Sequence, residues 1–215
     1  MTSNNDKPTA IMKATLQRMP LYYNYLIDRA KDGDIYASST SIAQSLRLTP
    51  IQVRKDLACV SQNSGKPRMG FEIITLLKDI EIILGYNNVD NAVLVGVGRL
   101  GRALLSYSGF NGYGLNIVAG FDIDEDLIGI KINGKPIMPI YKFSQLVKSL
   151  NINIGIITVS SGAAQSVCNL MVSAGIKAIW NFAPIHINIP NNVILKNENL
   201  AASLASLSKE LADTF

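Results

Sequence analysis

The chain has 215 residues, 48% hydrophobic and 17% charged, with a net charge of +4, two Cys and one His. That apolar fraction fills a core in one large or two small domains, so extensive disorder is excluded, as are a disulfide scaffold built on Cys59 and Cys168 and a protein-built metal site. No apolar run reaches the roughly 20 residues of a membrane span and the polar opening MTSNNDKPTA does not read as a signal peptide, so a cytoplasmic protein with no membrane partner is expected.

Residues 11–30 read as a helix with Ile11, Leu16, Met19, Leu26 and Ile27 apolar; Pro20 removes a donor, so the main helix is expected to start near it. Asp32-Gly33-Asp34 stops it, and Ser38 or Ser39 caps a second helix that buries Ile42, Ala43 and Leu46. Thr49 as N-cap and Pro50 at the first helical position open a third helix, IQVRKDLACVSQ, which buries Val53, Leu57 and Val60 and turns Gln52, Arg54 and Lys55 outward. The loop GKPRMG (65–70) leads to Phe71-Glu72-Ile73-Ile74, which alternates like a strand, and to a helix over 76–84. Residues 47–68 carry Arg47, Arg54, Lys55, Lys66 and Arg68 against Asp56 alone. Two helices, a tight turn, a basic helix and a basic hairpin make the winged helix-turn-helix order. In it the third helix enters a major groove and the wing places Lys66 and Arg68 beside the backbone or minor groove.

The text changes near Asn87. The buried-strand run over 90–95 passes directly into Gly96-Val97-Gly98-Arg99-Leu100-Gly101 and a helix over 102–107; a second strand, 115–121, ends at Asp122. GxGxxG is weak evidence alone, but this one follows a strand, opens a helix and has an acid 21 residues beyond its last glycine, the context of a dinucleotide-binding unit. Asp122 would take ribose hydroxyls and repel a 2′-phosphate, favouring NAD and NADH. A helix over 143–150, a strand over 152–159, a helix over 163–174, strands over 176–182 and 193–195 and an amphipathic helix over 200–211 continue a doubly wound parallel sheet. Ligands lie past the carboxyl ends of such strands, which nominates Thr158, Val159, Ser160, Asn181, Phe182, Ala183 and Pro184 beside the glycine loop.

A dehydrogenase needs a group to move a proton, and none is nominated: His186 reads as a loop residue, no Tyr-x-x-x-Lys occurs in the second part, and no length remains for a substrate domain. Cys59 and Cys168 read as buried small apolar residues, and Met171 and Trp180 as core. A nucleotide site without catalytic residues points to sensing, not to an enzyme.

RMPLYYNYL (18–26), QVRKDL (52–57), GVGRLGRALLSYSGF (96–110), FDIDEDLIG (121–129), AAQSVCNLMVSAGIKAIWNFAP (163–184) and the closing helix together resemble the redox-sensing transcriptional repressor Rex family over nearly the whole length. The resemblance implies an α/β homodimer with a winged-helix domain over 1–86, a Rossmann NAD(H)-binding domain over 87–198 and a C-terminal domain-swapped helix over 199–215. It implies a repressor that holds double-stranded operator DNA and releases it when NADH binds. Gln52, Arg54 and Lys55 would be on the recognition helix, with Ser39 and Thr49 at the openings of the two helices and Lys66 and Arg68 on the wing. Gly96, Val97, Gly98, Arg99, Leu100, Gly101 and Asp122 would hold the adenine half of the cofactor, with Tyr107 near the nicotinamide.

Departures from the family pattern are Asn24 where an Arg is usual, Asn199 where an acid is frequent, Leu200 where an aromatic follows that acid, and Ser160 where Pro is usual. Two amides lack the charge-assisted strength of an Arg–carboxylate pair, so altered coupling between cofactor and DNA is expected. Two rival readings stand beside this one: an NAD(H)- or CoA-binding Rossmann protein or enzyme subunit without DNA regulation, and a relative that binds NAD(H) but no longer reads DNA.

Overall fold

Pro20 does not divide the first helix: α1 (Lys13–Lys31) runs continuously through it, correcting the expected start. Thr15 and Arg18 on one side of the proline and Tyr22 on the other all donate to Asp56 in a different helix. That shared anchor holds the turn the ring crowds. The computed structural model describes residues 12–61, 65–66, 69–88 and 90–214. Ile11, Gln62 and Arg68, expected in the first helix, the third helix and the wing, lie outside the described residues. The chain divides into two units, Met1–Asn87 and Asn88–Phe215.

In the first unit, α2 (Ser39–Leu46) starts with a reciprocal cap: the Ser38 hydroxyl accepts from the Ser41 amide at 3.0 Å, and the Ser41 hydroxyl accepts from the Ser38 amide at 3.1 Å. Arg47, left-handed at φ 54°, ends it. After Leu48, α3 (Pro50–Ala58) begins with the Thr49 hydroxyl accepting from the Gln52 amide at 3.2 Å. β1 (Tyr36–Ala37) pairs antiparallel with β2 (Phe71–Glu72). The strand expected over 71–74 stops at Glu72, because α4 (Ile73–Leu84) already starts at Ile73. β-Branched residues at 73 and 74 favour a strand locally, but Ile73, Leu76 and Ile80 are buried at helical spacing, and packing overrides propensity. Met19, Tyr22, Leu26, Ile42, Val53 and Leu57 complete this core. Cys59 is exposed rather than buried, because α3 ends at Ala58 and its cap turns off the buried face.

The second unit runs β3 (Asp90–Val95), α5 (Arg99–Ser106), a 3-10 turn over 108–113, β4 (Leu115–Asp122), β5 (Lys131–Ile132), β6 (Lys135–Pro139), α6 (Phe143–Ser149), β7 (Ile154–Ile157), α7 (Ser161–Ala174), β8 (Ala178–Asn181), β9 (Ile194–Asn197) and α8 (Leu200–Thr214). The sheet order is β5-β6-β4-β3-β7-β8-β9, parallel except for the β5–β6 hairpin. From β6 to β9 this is the doubly wound order, and the direction of winding reverses between β3 and β7. The hairpin adds to the expected strands; Asn133-Gly134, at φ 47° and 77°, is the two-residue turn that signals one. On one face α6 and α7 bury Phe121, Phe143, Ile157, Cys168 and Met171; on the other, α5 buries Leu94, Val97, Leu105 and Ile156. Cys168 is thus buried as expected, and burial pushes its thiol pKa up. Leu204, Leu207 and Leu211 on α8 are each at least 60% exposed.

Candidate cofactor and nucleic-acid sites

The loop between β3 and α5 is a cradle in which each glycine has a separate reason. Gly96 has φ 99°, and a Cβ there would stand 2.7 Å from the Val159 side chain. A Cβ on Gly101 would collide with the Gly96 carbonyl oxygen, so the helix approaches the loop only because that position is bare. Gly98 faces open space and caps α5 with no side-chain hydrogen bond of its own. Room for an incoming group above free helix-terminal amides is what a diphosphate requires, and the residues fit such a group.

Two neighbours fix the loop. The Asp122 carboxylate accepts from the Val97 amide at 2.6 Å and from the Ile123 and Asp124 amides at 2.7 and 3.1 Å. Its parallel register with β3, pairing Val95 with Phe121, delivers that acid to the glycine turn. The Thr158 hydroxyl donates to the carbonyls of Val95 and Gly96 at 3.1 and 2.7 Å, which ties β7 to the same turn. The Arg102 guanidinium adds a bond to the Val97 carbonyl at 3.2 Å, a support that no motif signals.

Of the remaining nominated residues, Arg99 and Leu100 are exposed in the first turn of α5, and Ser160 is the exposed N-cap of α7. Phe182 joins the end of β7 through its amide, which donates to the Ile157 carbonyl at 2.9 Å. Asn181 and Ala183 are buried: the Asn181 amide group bonds the carbonyls of Ala183 and Ile185 and the Asn197 side chain, so these two shape the loop from inside, while Pro184 is exposed. Tyr107, 54% exposed, ends α5 and begins an aromatic row with centroid spacings of 4.9 Å to Phe110, 5.7 Å from there to Trp180 and 4.7 Å on to Phe182. Only the fold collects four aromatics from such distant positions, and no spacing rule finds them.

In the first unit, Arg54 and Lys55 are exposed on α3 as expected. Gln52 is not fully outward: it is half-buried and its amide donates to Asp56 at 2.9 Å. Asp56 is 2% exposed and also accepts from Thr15 at 3.0 Å, from Arg18 at 2.6 and 2.8 Å, and from Tyr22 at 2.7 Å. Burial pushes its carboxyl pKa up, but the hydrogen bonds from Arg18, Tyr22, Gln52 and Thr15 outweigh it and hold the group at about 2. Counting charges along the sequence presents Asp56 only as the one acid of a basic patch; its role as the tie between α1 and α3 needs the fold. Ser39 is half-buried in the first turn of α2, and Thr49 is exposed. Lys66 reaches back to the Tyr36 hydroxyl at 2.9 Å, which pushes its ammonium pKa up.

Residues 87–185 match the family model described as "CoA binding domain", and residues 10–58 match "Putative DNA-binding protein N-terminus". The chain is 38% identical to the redox-sensing transcriptional repressor Rex of Bacteroides fragilis, over 98% of this chain and 97% of that protein. It is 37% identical to the protein of the same description from Clostridium botulinum, over 94% and 96%. Among solved structures it is similar to RSP in complex with β-NAD+ and operator DNA, with a TM-score of 0.88, 33% identity and coverage of 95% of this chain and 94% of that one. RSP in complex with β-NADH gives a TM-score of 0.86 and 32% identity, covering 95% and 96%. RSP is described as a Rex-family repressor. With that identity sustained over nearly its full length, the chain belongs to the Rex family of redox-sensing transcriptional repressors.

Proposed function

We propose that the protein is a cytoplasmic, homodimeric repressor that holds double-stranded operator DNA and lets it go when NADH occupies the glycine-loop site. It turns over no substrate. The observation that carries this reading is the pair of RSP structures, one with β-NAD+ and operator DNA and one with β-NADH, both close in fold to this chain.

In this reading residues 1–86 are a winged-helix DNA-binding domain, 87–198 a Rossmann NAD(H)-binding domain and 199–215 a helix exchanged between subunits. Arg54 and Lys55 contact DNA from α3, Ser39 and Thr49 flank it, Gln52 contributes what Asp56 leaves of its amide, and Lys66 and Arg68 add further DNA contacts. Gly96, Val97, Gly98, Arg99, Leu100 and Gly101 hold the diphosphate, Asp122 the adenosine ribose, and Tyr107 lies near the nicotinamide. Thr158, Val159, Ser160, Asn181, Phe182, Ala183 and Pro184 close the crevice. The carboxylate of Asp122 beside the loop disfavours ligands that carry a further phosphate on that ribose, CoA and NADP among them.

A ligand moves an equilibrium only by its differential affinity for two arrangements, and full switching needs a preference on the order of 5 kcal/mol. Asn24 and Asn199 stand where some members of the family link an Arg to an acid. Asn199 instead caps α8, its side-chain oxygen accepting from the Ala202 amide at 2.9 Å. The release of DNA by NADH is therefore shallower here than in relatives with the charged pair. A gel-shift titration on a palindromic operator, run with NADH and in parallel with NAD+, tests the reading. NADH should lower operator affinity and NAD+ should not; an operator affinity indifferent to both would overturn it.

A further inference from the structure

The C-terminal end of α5 is held by a part of the chain that the site described above does not include. A helix end leaves its last carbonyls without partners. Here the Lys135 ammonium, from the first residue of β6, donates to the Leu105 carbonyl at 2.6 Å, and the Asn133 amide, from the β5–β6 turn, donates to the Ser106 carbonyl at 3.2 Å. Tyr107 follows directly as the C-cap, with extended backbone at ψ 112°. Its ring lies over Gly109, where a Cβ would collide with it, and against the edge of Phe110. A cation at a helix C-terminus is favoured by the helix dipole, and Lys135 is partly withdrawn from water, which lowers its pKa and strengthens the bond it makes.

The same eight-residue helix begins at the open cradle of Gly98. One end of α5 therefore faces the phosphate position, and the other carries the exposed Tyr107 into the aromatic row that leads to Phe182 at the crevice. The glycine loop is anchored independently by Asp122 and Thr158, whereas the Tyr107 end depends on the hairpin.

The geometry points to Lys135 as a positioning residue for cofactor reading: by capping α5 it sets Tyr107, so the preference between reduced and oxidised nicotinamide depends on it while affinity for the adenosine diphosphate half does not. This rests on the reading above that Tyr107 lies near the nicotinamide. Asn133 contributes to the same cap, but its left-handed φ makes its substitution a strain on the turn, so Lys135 is the informative position.

The experiment is calorimetric titration of the full chain with NADH, NAD+ and ADP-ribose, comparing wild type, Lys135→Met and Lys135→Arg. Lys135→Met should reduce the NADH-over-NAD+ preference about fivefold while ADP-ribose affinity stays within about twofold, and Lys135→Arg should restore the preference. An unchanged preference in Lys135→Met, or an equal loss for all three ligands, would overturn the assignment. Should Lys135→Met fail to fold, Lys135→Gln titrated the same way decides by the same outcomes. A wild-type protein that binds none of the three ligands would instead overturn the cofactor reading itself.

Discussion

Asp56 shows how much one buried carboxylate can organise. Its two oxygens take hydrogen bonds from four side chains, so removing it strands an arginine and a buried phenol together. Asp56→Ala should cost roughly 3–5 kcal/mol, read as a lowered urea midpoint. Because the folded pKa is held at about 2 against an ordinary 3.8, this group contributes stability that is fully present above about pH 4. That contribution, on the order of 2 kcal/mol, is lost as pH falls from about 4 to about 2. Urea unfolding of wild type across that range should show the loss, and Asp56→Ala should show a flatter profile.

The glycines of the cradle separate in the same way. Gly98→Ala has room for its methyl within the fold, so the thermal midpoint should hold while NADH affinity falls at least about tenfold as the methyl meets the diphosphate. Gly101→Ala forces the helix off the loop and should lower both. A Gly98→Ala protein with unimpaired NADH binding would remove the diphosphate from this loop.

At the scale of elements, α3 combines an inward face tied to α1 with an exposed basic face. Arg54 and Lys55 are exposed, so Arg54→Ala and Lys55→Ala should change folding stability by less than about 0.5 kcal/mol. Operator affinity should fall, and the slope of log affinity against log salt should shrink by about 1 for each phosphate that is deprived of its cation. Slopes identical to wild type would place these two side chains off the DNA backbone. The start of α3 was legible because Thr49-Pro50 is a local signal, as was a serine cap for α2, which the structure places at Ser38 with Ser41 as its reciprocal partner. The continuation of α1 through Pro20 and the early start of α4 at Ile73 were not, because in both places a distant packing partner outweighs the local preference.

At the scale of the whole molecule, α8 carries a leucine stripe at 204, 207 and 211 that no other described part of the chain covers. Under the dimer reading the partner subunit covers it. Leu207→Asp should then shift the sedimentation coefficient from dimer to monomer and weaken operator binding, since a monomer presents one half-site reader. A variant that remains dimeric would move the interface elsewhere.

The sequence by itself determined whatever is encoded within a few residues. The strand–GxGxxG–helix unit with its acid at 122, the caps of α2 and α3, and the alternation that makes a doubly wound sheet all follow from local backbone rules and periodicity. The Asn133-Gly134 hairpin is also encoded in two adjacent residues, although the sequence reading passed over it. Only the tertiary structure decided that Asp56 ties α1 to α3, that Gln52 is half engaged there, that Cys59 faces outward, and that four aromatics meet on one face of the sheet. The α1–α3 tie and the aromatic row join residues that chain-local forces never bring together, whereas Gln52 meets Asp56 one turn along the same helix. They form because a buried polar group needs a particular partner and an aromatic ring a packed apolar face, and the fold supplies both.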